Sequence, residues 1–169
     1  LPLLAGIALL VVLPLVLGSY AVTLMNYIGL AAIVVFGLVL LSGVGGLISF
    51  GQAAFVGLGA YTTAYMSTAL HLSPWLGLAA ALLVTGVAAL VIGWVTLRMS
   101  GHYLPLSTLA WGISIYLLFG NIQAIGGQNG IADIPAPQLF GHAIDDSRQF
   151  YVMIWCVVAA IAWSVHNML

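Results

Sequence analysis

Long apolar runs, each closed by a few polar, glycine or proline residues, divide the chain into segments of membrane-spanning length. They lie at about 2–18, 24–43, 52–70, 75–97, 103–120 and 150–168. A run of about 20 apolar residues crosses the roughly 30 Å hydrocarbon layer as a helix. The alternating ten-residue segments of a membrane barrel are absent from the pattern. In lipid every backbone polar group needs an internal partner, which leaves helices as the solution. The pattern therefore predicts an all-α fold, a polytopic transmembrane helical bundle of about six spanning helices. The first run could be the apolar region of a signal peptide, but no basic residue precedes it, so it is expected as a retained helix kinked near Pro14.

Composition sharpens this picture. Of 169 residues, 64% are hydrophobic and 3% charged, against averages of about 45–50% and 25% in soluble domains. All five charged residues, Arg98, Asp133, Asp145, Asp146 and Arg148, fall between the apolar runs. The expected organisation is one transmembrane domain over residues 1–169, with 121–149 as its long loop. The chain begins at Leu1 without an initiator Met and stops at Leu169 directly after an apolar run, as expected of part of a longer protein. Arg98 stands in a tight loop without acids, which the positive-inside rule places in the cytoplasm. Counting spans from there makes 121–149 extracytoplasmic.

Glycine marks the most informative stretch, Gly43-Val-Gly-Gly-Leu-Ile-Ser-Phe-Gly-Gln52. Glycines at 43, 45, 46 and 51 weaken or break a helix, and Ser49 and Gln52 add polar groups beside the interruption, expected near 43–52. Downstream, Ala53, Gly57, Ala60 and Ala64 form a small-residue stripe for helix packing. Two readings stay open on these residues alone: an ordinary turn with routine packing, or an interrupted helix facing a substrate path, as in transporters.

Chemistry is limited by what the chain lacks. It has no lysine, and a P-loop needs one to hold the nucleotide phosphates. Any ATP hydrolysis belongs on another polypeptide. The histidines at 71, 102, 142 and 166 show no metal-ligand spacing, so no metal site is expected, and no catalytic residue is assigned. The net charge of −1 offers no basic patch to nucleic acid. Asp145 and Asp146 read as a cap for the last helix, and Cys156 as a small buried hydrophobe.

Three blocks, in order, carry a resemblance to a known family. They are Ile48-Ser-Phe-Gly-Gln-Ala-Ala-Phe-Val-Gly-Leu-Gly-Ala-Tyr-Thr62, Leu97-Arg-Met-Ser-Gly-His-Tyr-Leu-Pro-Leu-Ser-Thr-Leu-Ala-Trp-Gly112 and Ile125-Gly-Gly-Gln-Asn-Gly-Ile131. Together they resemble the inner-membrane permease subunits of ABC importers for branched-chain amino acids, of the LivM type, over roughly residues 25–131. Ile125 stands where the family usually has Thr. Members usually continue past the equivalent of Leu169 into a cytoplasmic loop that docks on the ATPase.

The resemblance implies a multi-pass protein of the bacterial inner membrane that is not itself an enzyme and holds no cofactor. Its implied partners are a homologous second permease subunit, two ATP-binding subunits that bind the ATP, and an extracytoplasmic solute-binding protein. Ser49 and Gln52 are the leading candidates for the substrate path, with Tyr61, Thr62 and Asn129 behind them. Asp133 and Asp145 are candidate contacts for the binding protein. A passive channel for a small neutral solute such as urea, or a non-transporting assembly subunit, is also compatible with the sequence.

Overall fold

Residues 14, 18–96, 98–99, 103–139 and 142–168 are described by the structure, a computed structural model. The expected first span, 2–18, lies outside them apart from Pro14 and Gly18, as do residues 100–102 of the Arg98 loop and residues 140–141. Five α-helices follow: α1 (Ser19–Val39), α2 (Gln52–Thr68), α3 (Pro74–Thr96), α4 (Tyr103–Asn121) and α5 (Ser147–Met168). Helix α1 runs on as a π turn, Leu40–Val44, before the chain leaves helical geometry. The interruption expected near 43–52 is therefore present, entered through a widened turn.

Four of these segments are long and apolar enough to cross a membrane: Ser19–Val44, Pro74–Thr96, Tyr103–Asn121 and Ser147–Asn167. The protein is an all-α, polytopic membrane protein. The expected span 52–70 forms α2, which at 17 residues is shorter than the others and richer in hydroxyls. Those hydroxyls are neutralised locally. Thr62, Thr63, Ser67 and Thr68 each donate to the carbonyl one turn back, at 2.7–3.0 Å, which satisfies them without water.

The described chain forms two compact units. The first contains α1 and α5. Gly29 lets them close together, since a Cβ there would stand 2.6 Å from Ile154 Cγ2. Val22, Tyr151, Ile154, Val158 and Val165 are buried. Polar bonds fix one end of this pair: Asn26 Nδ2 donates to the Ser147 carbonyl (2.9 Å), and the Thr23 and Ser147 hydroxyls lie 3.3 Å apart. Asp146 caps α5, its carboxylate accepting from the Arg148 amide at 3.2 Å. Cys156, expected to be buried, is exposed on α5, because the residues around the α1 contact recur at helical spacing and Cys156 is not among them.

The second unit, Leu41–Ala143, is built from α2, α3 and α4. Helix α3 runs antiparallel to α2: Gly77 meets Thr63, Gly59 meets Thr85, and Ile92 shares a core with Ala54 and Ile115. Helix α4 runs parallel to α2, since Gly51 meets Thr108 while Gly57 meets Phe119. The loops after α2 and α4 therefore share one end of the unit, and Trp75 Nε1 ties them together by donating to the Gln138 carbonyl at 2.6 Å. A two-residue antiparallel ladder pairs Gln138–Leu139 with His142–Ala143 in the second loop. At the opposite end, the Arg98 guanidinium lies 4.2 Å over the Trp94 ring, a cation–π contact suited to an interfacial position.

The outer faces stay apolar. Leu83, Leu90 and Trp94 are 72%, 75% and 66% exposed, whereas the buried set includes Ala54, Ala64, Ala81, Ser67, Thr96 and Thr108. In this second unit, small and hydroxyl side chains inside with large aliphatics outside match the arrangement of helices packed in lipid. The close contact at Gly29 gives a direct test. Gly29→Leu is expected to destabilise the α1–α5 pair by about 1–3 kcal/mol through overpacking, seen as a lowered Tm in detergent. Gly37→Ala, where a Cβ meets nothing within 4 Å, is expected to leave Tm unchanged or raised.

Candidate functional site

The interrupted segment determines how the second unit is assembled. After the π turn the backbone passes through Gly46 in the left-handed region (φ 62°). The Leu47 amide donates back to the Leu41 carbonyl at 3.2 Å. The next residues then dock on the first half of α4. The Phe50 amide donates to Thr108 Oγ1 (3.1 Å), and the Thr108 hydroxyl donates to the Pro105 carbonyl (2.9 Å). Pro105 sits in the first helical turn, where its missing N–H costs nothing. Ser49 Oγ accepts from the Gly51 amide at 3.3 Å.

Glycine makes this approach possible. A Cβ on Gly51 would stand 3.1 Å from the Thr108 carbonyl oxygen, and one on Gly112 would stand 3.9 Å from the Phe50 carbonyl oxygen. The amides of residues 47, 50 and 51 are thus already engaged by the protein. Gln52 adds a half-buried polar side chain at the start of α2.

Midway along α2, Tyr61 lies against Phe119 of α4, ring centroids 4.6 Å apart and planes inclined by 33°. Phe119 is seated over Gly57, where a Cβ would come within 3.1 Å of its ring. Beyond α4 the chain turns through two 3₁₀ segments, Gln123–Ile125 and Gly127–Asn129. Gly126 (φ 85°) admits no side chain, because a Cβ would collide with the Gly130 carbonyl. The loop so closed packs back on α4, with Gln128 Nε2 2.7 Å from where a Gly120 Cβ would be. It also faces α2 across a cleft of about 270 Å³ lined by Ala60, Tyr61, Ala64, Gly130, Ile131 and Ile134.

The sequence candidates are spread along this unit without sharing one helix face: at about 100° per residue, Gln52 and Tyr61 lie on opposite sides of α2. Gln52 and Tyr61 are nine positions apart on one helix, about 13 Å along its axis. Ser49 and Gln52 belong to the docked end, and Tyr61 to the cleft. The Thr62 hydroxyl is occupied by the Leu58 carbonyl at 2.7 Å. Asn129 is exposed, its amide bonded to the Gly126 carbonyl.

Of the small residues, Ala64 is buried, Gly57 seats Phe119, Ala60 lines the cleft and Ala53 is exposed. Thr63 makes a close approach to α3 at Gly77, where a Cβ would stand 3.2 Å from the Thr63 carbonyl oxygen. Asp133 is exposed with φ 57°, and Asp145 is exposed in the first unit. Among the described residues no cluster of His, Cys, Asp or Glu could hold a metal. Thr108, Phe119 and Ile134 are among the residues of this site that the sequence did not single out. Thr108 stood within a quoted block, and its role depends on an approach across 58 residues.

These features define a multi-pass helical membrane protein organised around an interrupted helix, in which three sequence blocks meet within one unit. The chain belongs to the family of branched-chain amino acid transport system permease components, whose pattern matches residues 20–167. Over 106 residues it is 41% identical to a protein of Salmonella typhimurium named high-affinity branched-chain amino acid transport system permease protein LivM. It is 40% identical to the Escherichia coli protein of the same name. In both cases the match covers 62% of this chain and 25% of the relative, so it spans a quarter of those proteins' length. No solved structure matches significantly.

Thr108 is the junction to test. Thr108→Val removes the acceptor of the Phe50 amide from a part-buried bond. An orphaned buried donor costs about 1–3 kcal/mol. The expected outcome is a lowered Tm together with faster hydrogen exchange at Phe50; unchanged exchange there would show that the amide does not depend on this hydroxyl.

Proposed function

We propose that this chain supplies transmembrane helices to the permease of an ATP-driven importer in the bacterial inner membrane, carrying branched-chain amino acids or related small polar solutes. The observation that supports this most directly is the meeting of the three blocks: the interruption docks on Thr108 of the second block, and the third forms one wall of the cleft whose other wall is α2. The complex would contain a homologous second permease, two ATP-binding subunits that bind and hydrolyse the ATP, and an extracytoplasmic solute-binding protein. This chain has no lysine for a P-loop, which supports placing the nucleotide elsewhere.

The unit's geometry fits alternating access. With the Arg98 end cytoplasmic, the interruption faces the cytoplasm and the loop from Gln123 faces outward, so Ser49 and Gln52 stand near the exit and Tyr61 and Asn129 near the entrance. A zwitterion crossing lipid needs polar partners along the way, with Ser49 and Gln52 offered at one level and Tyr61 and Asn129 at another. Nucleotide binding at the partner subunits rocks the permeases, and the solute passes after release from its binding protein.

Reconstitution of the complete complex in liposomes tests this reading. Uptake requiring both ATP and the binding protein is expected; uptake indifferent to ATP favours a channel and would overturn it. In the same vesicles Gln52→Ala is expected to lower uptake about tenfold, as loss of one hydrogen bond to a charged group does, while assembly with the ATP-binding subunits stays intact. Wild-type rates would remove Gln52 from the path. A photocrosslinker at Asp133 is expected to capture the binding protein, and capture of lipid alone would place that loop against the membrane instead.

A further inference from the structure

The cleft between α2 and the loop after α4 has a composition unlike the rest of the proposed path. Its walls are two alanines, two isoleucines, a glycine and one tyrosine ring. At about 270 Å³ it falls just below the ~300–1,000 Å³ of pockets that take drug-sized ligands. Small residues create this space: Ala60 and Ala64 lie four positions apart on α2, and Gly130 faces them from the loop.

The cleft's shape is held from several sides. Tyr61 rests on Phe119, which rests on Gly57, so the aromatic wall is fixed by α4. The opposite wall is fixed by Gly126, Gly127 and Gly130, all at positive φ, and by the amide bonds of residues 126, 127, 129 and 130 to carbonyls within the turn. Polar groups flank the cleft in sequence without lining it: Asn129 adjoins Gly130, and Asp133 adjoins Ile134, both exposed.

Resting on the importer reading, we propose that this cleft receives the aliphatic side chain of the transported amino acid and sets the largest side chain accepted. The ammonium and carboxylate stay outside it, towards the polar residues of the loop. An apolar pocket with fixed walls discriminates by volume, each added or missing methylene changing transition-state binding by about tenfold or more. Ala60 and Ala64 set the depth on one side, and Ile131 and Ile134 set the width on the other.

The test uses the complete importer complex in liposomes, with alanine, leucine and phenylalanine as the solutes. Ala60→Leu fills the cleft and is expected to reduce leucine uptake at least tenfold relative to alanine uptake. Ile131→Ala widens it and is expected to raise the phenylalanine-to-leucine ratio about tenfold. The second variant gains range, which a folding defect cannot mimic. Co-purification with the ATP-binding subunits establishes assembly of each.

If both variants transport the three solutes in the wild-type ratio, the cleft is a surface packed by lipid or another helix and the proposal is overturned. If Ala60→Leu fails to assemble, the ratio in Ile131→Ala decides: a shift supports the cleft, and the wild-type ratio overturns it. Wild-type complexes that show no ATP-dependent uptake of any of the three would instead overturn the importer reading, so the two failures are separate.

Discussion

A peptide group that leaves a helix and is pressed against a neighbouring one must be given another partner, and the bond from the Phe50 amide to Thr108 Oγ1 meets that demand in this protein. It joins residues 58 positions apart in sequence, so the interruption cannot be a free linker. Thr108 in turn donates to a carbonyl of its own helix, which orients its lone pairs towards the docked segment. Gly51 and Gly112 remove the side chains that would hold the backbones apart. From this junction the parallel alignment of α2 and α4 follows, and with it the placement of Phe119 beside Tyr61 and the formation of the cleft.

The glycines divide into two kinds by what they do. Gly51, Gly57 and Gly77 permit close approach, each with a neighbour at 3.1–3.2 Å from a hypothetical Cβ. Gly46, Gly126, Gly127 and Gly130 supply positive φ, which an L side chain adopts only at a cost. The first kind packs helices and the second turns the chain. Both kinds occur within the blocks that resemble the permease family, so those blocks combine structural necessity with the proposed path. Side chains able to contact a solute, such as Gln52 and Tyr61, are spaced between them.

Much of the architecture was legible because hydropathy reads directly in lipid. The expected 75–97 and 103–120 became Pro74–Thr96 and Tyr103–Asn121, their ends set by Ser73-Pro74 and by Asn121. The start of α1 at Ser19 was less legible, since Ser19, Tyr20 and Thr23 interrupt the apolar run, yet the Thr23 hydroxyl is satisfied by the Ser19 carbonyl at 3.0 Å. Burial was misread at Cys156 because apolar character does not mark the interior of a membrane protein. The interior of the second unit favours alanine, serine and threonine, while that of the first is valine and isoleucine with Tyr151. Thr108 was illegible as an anchor because its partner is a backbone group, which carries no sequence signature. The cleft was half legible: its alanines were noted as a packing stripe, while its isoleucines depend on a turn whose course is set by three left-handed glycines.

The division of the chain into a central unit and a terminal pair has a consequence for synthesis. Residues 41–143 form a continuous stretch, so α2, α3 and α4 can assemble as soon as they leave the ribosome, with mostly short sequence separations to close. Helix α1 precedes them but has its mate in α5, more than a hundred residues later. Until Ser147 arrives, the Asn26 amide lacks the carbonyl that it finally bonds, and the groove at Gly29 stands open. The oldest helix in the described chain is therefore the last to be completed, and its unfinished face is the one that insertion factors or a neighbouring chain would meet in the interval.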